Sequence, residues 1–244
     1  ACGGADRRPA AGPLIDLRPQ PWRPLDGGAA APDDRGRRNR PGRGSAPPPD
    51  TPGFAAHEIP HKLSLRASVT AELTLDRVRL PGDAVFPDVT GLKGPLSCLS
   101  EARYGILWGA LGAARTCLEA ARRYAIERTQ FGRPLAGFQL TQAKLASMST
   151  ELQLGLLLAL HLGRLKDSVG LRPEQVSVGK FNNIAKAIEI CRTSRTILGA
   201  NGISGEFPIM RHANNLESVL TYEGTVEMHA LVLGQALTGV PAFR

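Results

Sequence analysis

From residue 95 onward, apolar residues recur every three or four positions, the spacing of one buried helix face. The pattern predicts helices over 95–126, 141–166, from Pro173 to about 198, and then over 210–220 and 225–237. Because helices joined by short connections pack against one another, we expect an antiparallel bundle. The predicted buried stripes of the three long helices are Leu107, Leu111, Ala114, Leu118, Ala121 and Ala125; Leu145, Met148, Leu152, Gly155, Ala159 and Leu162; and Phe181, Ile184, Ile188, Cys191 and Leu198.

Residues 61–80 have a different pattern, in which apolar and polar residues alternate. Leu63 and Leu65, the run from Val69 to Leu75, and then Val78 and Leu80 predict two or three short strands. A break is expected near residue 76, and the Pro-Gly pair at 81–82 ends the last strand. Short strands with few partners leave unpaired edges.

Residues 1–56 lack either pattern. They hold 11 of the 19 prolines, nine Arg, six Asp and no Lys. Such a segment buries too little apolar surface to offset its conformational entropy, so we predict that 1–56 is disordered. The Arg content is typical of targeting peptides, but the six Asp and the missing amphipathic pattern leave no clear transit peptide.

Composition narrows the class of protein. The chain has 244 residues, 42% of them hydrophobic, and no run of 18 apolar residues, so we expect a sizeable core and no membrane span. The net charge of +8 is spread along the chain, which indicates a solvated surface or an anionic small ligand rather than nucleic acid. The four cysteines lie far apart without metal spacing, so we expect no metal site, and buried free thiols at Cys98, Cys117 and Cys191.

The candidate chemistry lies in residues 211–225, which end in Glu223, Gly224 and Thr225. Thr225 is a suitable N-cap for the last helix, and Glu227 lies in its first turn, where a negative charge is favoured. Glu223 is therefore expected in a bend just before a helix whose N-terminus can bind a phosphate. Two interpretations follow: a base beside a nucleotide-bearing ligand, or a solvated glutamate in a connection.

Five stretches taken together resemble the acyl-CoA dehydrogenase family, and within it most of all the glutaryl-CoA dehydrogenases. They are TYEGT at 221–225, ILGANGISGEFPIMRHANNLE, CLSEARYGILWGALGAA, RRYAIERTQFGRPLAGFQLTQAKLA and LHLGRLKD. The resemblance covers residues 61–244. It implies a mainly α fold, with the family's C-terminal helical bundle at 93–244 and a remnant of its middle β-domain at 57–92. The family's N-terminal helical domain is not recognisable in residues 1–56.

The resemblance implies an FAD-dependent enzyme that oxidises an acyl-CoA thioester. For the glutaryl type, the reaction converts glutaryl-CoA to crotonyl-CoA and CO2 in lysine and tryptophan degradation. It also implies electron-transferring flavoprotein as a partner, a homotetramer in which a neighbouring subunit completes the FAD site, and the mitochondrial matrix. The alternative is a non-catalytic, truncated helical scaffold that keeps only the oligomer contacts.

The resemblance assigns Glu223 as the catalytic base and Gly224 as the residue that lets the thioester approach the backbone. Arg128 would bind the cofactor's diphosphate, or else be an ordinary helix-end arginine, and Gln139 would also contact FAD. Arg103 would pair with an anionic part of CoA, or else lie on the surface. His229 is expected to pack or cap. The remaining cofactor residues are Thr196, Ile197, Leu198, Gly199, Ala200, Thr225, Val226, Glu227 and Phe243; the remaining substrate residues are Leu96, Ser97, Cys98, Leu99, Ser100, Glu101 and Ala102.

Overall fold

The fold is mainly α-helical. In the computed structural model, which describes residues 47–242, each of the five helices begins and ends within two residues of its predicted limits. The elements are β1 (Phe54–Glu58), β2 (Ala71–Leu75), α1 (Lys93–Glu127), β3 (Thr129–Gln130), β4 (Arg133–Pro134), α2 (Gln139–Ser168), α3 (Pro173–Leu198), α4 (Ile209–Thr221) and α5 (Val226–Thr238).

Helix α3 is the centre of the bundle, with α1, α2, α4 and α5 packed around it. The predicted stripes of α1 and α2 are buried or partly buried, as expected. The stripe of α3 is wrong at Phe181, which is 39% exposed. Since α3 is covered on several sides, its buried face is broader than one stripe and turns Lys180, rather than Phe181, inward.

Gly179 explains how the three long helices come so close. A Cβ at this position would lie 2.6 Å from Leu107 Cδ1 and 2.8 Å from Leu162 Cδ1, closer than side-chain atoms pack. A side chain here would therefore force Leu107 and Leu162 to shift, so glycine favours the close approach of α1 and α2 to α3. The next residue along α3 is Lys180, whose side chain is also buried.

The prediction of buried free thiols is confirmed for two of the three cysteines. Cys117 and Cys191 are buried between α1 and α3, with 3.3 Å between their sulfur atoms. Their mutual hydrogen bond, together with burial, raises the pKa of the Cys191 thiol and keeps it protonated. The predicted burial of Cys98 is wrong, because it lies in the exposed first turns of α1.

The β segment differs from its prediction. β1 pairs with β2 in antiparallel register from Phe54 with Leu75 to Glu58 with Ala71. Residues 54–56 are thus in a strand, so the predicted disordered segment ends at least three residues too late. Residues 1–46 lie outside the described part of the chain.

The strands predicted around residues 63–65 and 78–80 do not form. Lys62 Nζ donates to Leu65 O at 3.3 Å and to Thr70 Oγ1 at 2.6 Å, closing a loop between β1 and β2. Leu65 N donates to Asn215 Oδ1 at 2.8 Å, which ties this loop to α4. The Leu65 N–H is therefore bonded to a side chain of the bundle and is not available for a strand ladder. Assignment of residues 57–92 to a β-domain remains a prediction.

Helix α2 is long and apolar enough to cross a membrane by length and composition. The same test is passed by core helices of helical bundles. Met148, Leu152, Ala159 and Leu162 on its inner face are packed into the core, which is the behaviour of a bundle helix.

Candidate active site

The turn between α4 and α5 has an unusual backbone. Glu223 has φ +57° and Gly224 has φ +96°, so two consecutive residues lie in the left-handed region. For a residue with a side chain this conformation costs about 1–2 kcal/mol, and it persists only where the surroundings impose it. Thr225 then caps α5, because its Oγ1 accepts a hydrogen bond from Met228 N at 3.4 Å. The predicted N-cap and the bend before the helix are both confirmed.

Two cations hold the carbonyl groups of this turn. Lys180 Nζ of α3 donates to Tyr222 O and, at 2.5 Å, to Gly224 O. Arg103 Nε of α1 donates to Glu223 O at 2.7 Å. The carbonyls of three consecutive residues thereby accept hydrogen bonds from side chains of two helices, α1 and α3. Burial, reinforced by Arg103 and opposed by Glu223, lowers the pKa of Lys180 to about 8. Lys180 was not predicted from the sequence, since a single lysine in a helix normally faces water.

His229 of α5 lies beneath the turn, as its expected packing role requires. Its Nδ1 is 3.0 Å from Ser177 Oγ, and the side chain is 3% exposed. Burial, with Lys180 and Arg103 nearby, lowers the pKa of His229 to about 4, so the imidazole is neutral at pH 7. A Cβ on Gly224 would lie 3.1 Å from His229 Nε2. The glycine is therefore required on two grounds, its positive φ and the histidine against it.

Replacing Gly224 with alanine is expected to lower the free energy of unfolding by about 1–3 kcal/mol, because a Cβ is strained at φ +96° and crowds His229. Gly234→Ala is the matched control: this glycine lies inside α5, and a Cβ added to it would have no neighbouring atom within 4 Å. The control should stabilise by up to about 1 kcal/mol. Urea unfolding of both variants measures the difference, and equal stability of the two would contradict the strained turn.

One oxygen of the Glu223 carboxyl has no hydrogen-bond partner among the described residues. This oxygen, Oε2, is buried. Buried carboxylate oxygens are normally hydrogen-bonded, so an unpartnered one indicates a role toward a ligand. An oxygen held in this way can accept a proton from a molecule that enters beside the turn.

A cavity of about 490 Å³ adjoins the turn between α1 and α4. Tyr222, the residue before Glu223, lines it, and so does Ala102. Gly105, Gly109 and Gly112 of α1 leave its wall open, because they carry no side chains. Sequence analysis missed these glycines, although their three- and four-residue spacing in a long helix was a usable signal.

The predicted substrate segment reaches the turn only at its end. Leu96, Ser97 and Cys98 are exposed, while Ser97 and Ser100 bond to carbonyls of their own helix. Glu101 pairs with Lys166 of α2 at 2.8 Å. Ala102 lines the cavity and Arg103 holds the Glu223 carbonyl. The contact of Arg103 with the Glu223 carbonyl is observed, whereas its predicted pairing with CoA stays a prediction.

The predicted cofactor residues fall into two groups at opposite ends of the bundle. Arg128 follows the last residue of α1, Gln139 begins α2, and residues 196–200 end α3 and form the turn after it. Asn201 donates to the Tyr124 hydroxyl at 2.9 Å, and Lys144 to Thr196 Oγ1 at 3.4 Å, which joins these helix ends.

The second group, Thr225, Val226 and Glu227, starts α5 beside the Glu223 turn. Along α3, Lys180 beneath that turn and Thr196 in the first group are 16 residues apart, or about 24 Å at the helical rise. Arg103 and Arg128 on α1 are separated by about 37 Å on the same measure. Phe243 lies outside the described residues. Between residues 47 and 242, no three or more acidic, histidine and cysteine side chains are grouped to hold a metal ion.

Comparison with known proteins gives the family. Residues 90–238 match the model of the acyl-CoA dehydrogenase C-terminal domain. The crystal structure of glutaryl-CoA dehydrogenase from Mycobacterium smegmatis is 67% identical with a TM-score of 0.81, covering 83% of this chain and 52% of that one. The crystal structure of a glutaryl-CoA dehydrogenase from the same organism in complex with FADH2 is 61% identical, with the same TM-score and coverage.

The human mitochondrial short-chain specific acyl-CoA dehydrogenase is 34% identical over 187 residues, which are 76% of this chain and 45% of the relative. The chain spans about half the length of the relatives that it matches. The family model covers more than half of the chain. This chain belongs to the acyl-CoA dehydrogenase family, of which it carries the C-terminal helical domain.

Proposed function

We propose that this chain provides the C-terminal catalytic domain of an FAD-dependent glutaryl-CoA dehydrogenase, which converts glutaryl-CoA to crotonyl-CoA and CO2. The observation that carries the proposal is the Glu223 carboxyl, whose buried, unpartnered oxygen sits on a turn held at three consecutive carbonyls. The glutaryl assignment is supported by the 67% identity to a glutaryl-CoA dehydrogenase.

In this proposal Glu223 removes the acidic proton from the carbon next to the thioester. Glu223 Oε2 has no competing donor among the described residues, so it can take that proton. The glycine-lined cavity beside Tyr222 provides room for the acyl chain. When bound, FAD supplies the acceptor for the β-hydrogen, which leaves as hydride.

The residues present fit an FAD molecule in two separate groups. The Arg128 guanidinium is exposed and offers a bidentate contact for a diphosphate, with Gln139 at the same end of the bundle. The N-terminus of α5, with Thr225, Val226 and Glu227, offers backbone N–H groups beside Glu223.

The distance between these groups implies a second copy of the chain. About 24 Å of α3 separates them, so one cofactor would take its reactive end from Glu223's surroundings and its diphosphate contacts from a neighbouring copy. Helix α2 offers an apolar surface for such assembly, since Leu140, Leu154, Leu157 and Leu160 are exposed. We therefore infer a homo-oligomer, in agreement with the tetramer expected from the resemblance.

We expect the purified chain to bind FAD weakly and to lose it on gel filtration, because β1 and β2 provide only a two-stranded part of the sheet side of the site. Replacing Arg128 with alanine should weaken FAD binding by a further factor of about 10 to 100, the loss of a hydrogen bond to a charged group. Titration of FAD fluorescence measures this.

Arg192→Ala is the matched control, since Arg192 is an exposed arginine on α3 paired with Glu217. It should bind FAD like the parent. Stoichiometric flavin that survives gel filtration would contradict the expected weak binding, and an Arg128→Ala variant with the parent's affinity would remove Arg128 from the site.

The exposed apolar surface of α2 also suits the second candidate, a non-catalytic scaffold that only assembles. Light scattering together with FAD titration separates the two. Assembly with no measurable FAD binding would favour the scaffold, whereas assembly that depends on FAD would favour the enzyme. Electron-transferring flavoprotein as partner and the mitochondrial matrix stay predictions, since the relatives include bacterial enzymes.

A further inference from the structure

We propose that Lys180 is the positioning residue of the catalytic turn: its ammonium group bridges the carbonyls on either side of Glu223 and thereby aims the Glu223 carboxyl. The proposal deepens the proposed function and rests on it, in that Glu223 is taken as the base. Nothing in the resemblance assigned this lysine a role.

The geometry is that of a clamp. The side chain of Lys180 is 2% exposed and its Nζ donates to Tyr222 O and Gly224 O. These two residues flank Glu223, so one group fixes the backbone before and after it. Tyr222 also ends α4, where carbonyls lack helical partners and a cation is favoured. The Nζ lies 5.9 Å from the centre of the Tyr222 ring, a further favourable contact for a cation.

The clamp is anchored where the three long helices pack closely. Gly179, the residue before Lys180, is packed against Leu107 and Leu162 in the centre of α1, α2 and α3. The Lys180 stem therefore has little freedom, and its two acceptors are fixed relative to the core. The Glu223 and Gly224 dihedrals, both in the left-handed region, are what this double contact imposes.

A buried lysine without such contacts would destabilise the folded state. Removing an ammonium group from water is unfavourable unless it is paired, and an apolar residue of similar volume would fill the space without that cost. The hydrogen-bond partners of Lys180 are neutral carbonyls, so we infer that the positive charge is kept in order to hold the turn. Arg103 also holds the turn, because it donates from α1 to the Glu223 carbonyl. That carbonyl is the middle one of the three, so Arg103 does not bridge the two sides of Glu223 as Lys180 does.

The charged and titratable groups around Lys180 come from three elements. Arg103 faces it from α1, Tyr222 and Glu223 from the turn, and His229 from α5. Since the pKa of His229 is near 4, the imidazole is neutral throughout the neutral and alkaline range. The pKa of Lys180 is near 8, so its charge, and with it the stronger hydrogen bonds, is lost as the pH rises through that value.

Cleavage of this chain by a glutamate-specific protease tests the clamp without flavin or substrate. The rate of cleavage after Glu223 is compared with that after Glu206, an exposed glutamate in the connection before α4. Lys180→Met should raise this ratio about tenfold or more, the factor for loss of one charge-assisted hydrogen bond. Lys186→Met is the matched control, because it removes a lysine from the same helix that pairs with Glu151 and Glu189 and not with the turn. It should leave the ratio unchanged.

A pH series on the parent chain needs no substitution and covers the case in which Lys180→Met does not fold. The cleavage ratio should rise as the pH passes about 8, and Lys180→Met, where folded, should lack this step. A flat ratio in the parent, or an unchanged ratio in Lys180→Met, overturns the proposal. Full activity of Glu223→Gln in the assembled enzyme would remove the proposed base while leaving these cleavage results intact, so the two failures are distinguishable.

Discussion

Replacing Glu223 with glutamine is expected to slow flavin reduction by glutaryl-CoA by about two to four orders of magnitude, the usual loss when a general base is removed. The amide is nearly isosteric with the acid, so the turn and acyl-CoA binding should be preserved. It cannot accept the proton that the Glu223 oxygen, buried and unpartnered, is placed to take. Glu223→Asp should retain more activity than Glu223→Gln, because a carboxylate is still present. Its side chain is one methylene shorter, so we expect less activity than in the parent.

The measurement is anaerobic bleaching of bound flavin in a protein that joins this chain to the N-terminal half of a relative. Glu217→Gln makes the same chemical change on the exposed face of α4, where Glu217 pairs with Arg192, and should bleach at the parent's rate. Substrate affinity measured alongside separates a lost base from lost binding. A Glu223→Gln variant that bleaches as fast as the parent would show that another group takes the proton.

Truncating Leu162 to alanine is expected to lower the free energy of unfolding by about 3–5 kcal/mol, the cost of a core cavity that cannot collapse. Leu162 is fully buried, and its Cδ1 lies against Gly179 on the central helix. This is roughly a hundredfold or larger change in the ratio of folded to unfolded protein.

Leu157→Ala makes the identical change on the same helix at a residue that is 63% exposed, so it isolates the effect of burial. In dilute solution it should change the free energy of unfolding by about 0.5 kcal/mol or less. Denaturant unfolding of both variants over a range of protein concentrations completes the comparison. Equal losses at every concentration would contradict the α3-centred core, whereas a Leu157 loss that grows with concentration would place that residue in a subunit interface.

The local pattern of the sequence was enough for the helices. Apolar spacing gave limits within two residues for all five, because a helix is stabilised by contacts between positions three and four apart, which are visible in any window. The N-cap at Thr225 and the bend at Glu223 were predictable for the same reason, since capping acts within one turn. The resemblance then predicted which carboxylate is the base, and that assignment stays a prediction.

What the sequence could not provide were contacts between distant segments. β1 was missed because Phe54–Glu58 becomes a strand only by pairing with Ala71–Leu75 across a loop. Phe181 was placed in the core and Lys180 was missed, since the breadth of the buried face of α3 depends on how many helices surround it.

The sequence by itself determined a mainly α family domain with Glu223 before a capped helix. Only the tertiary structure decided that Arg103, 120 residues away, and Lys180, more than 40 away, hold the carbonyls of that turn. It also decided that the predicted cofactor residues lie at two ends of the bundle, about 24 Å apart along α3. The physical reason is that hydrogen bonds and burial depend on distance in space, while a sequence pattern records only distance along the chain.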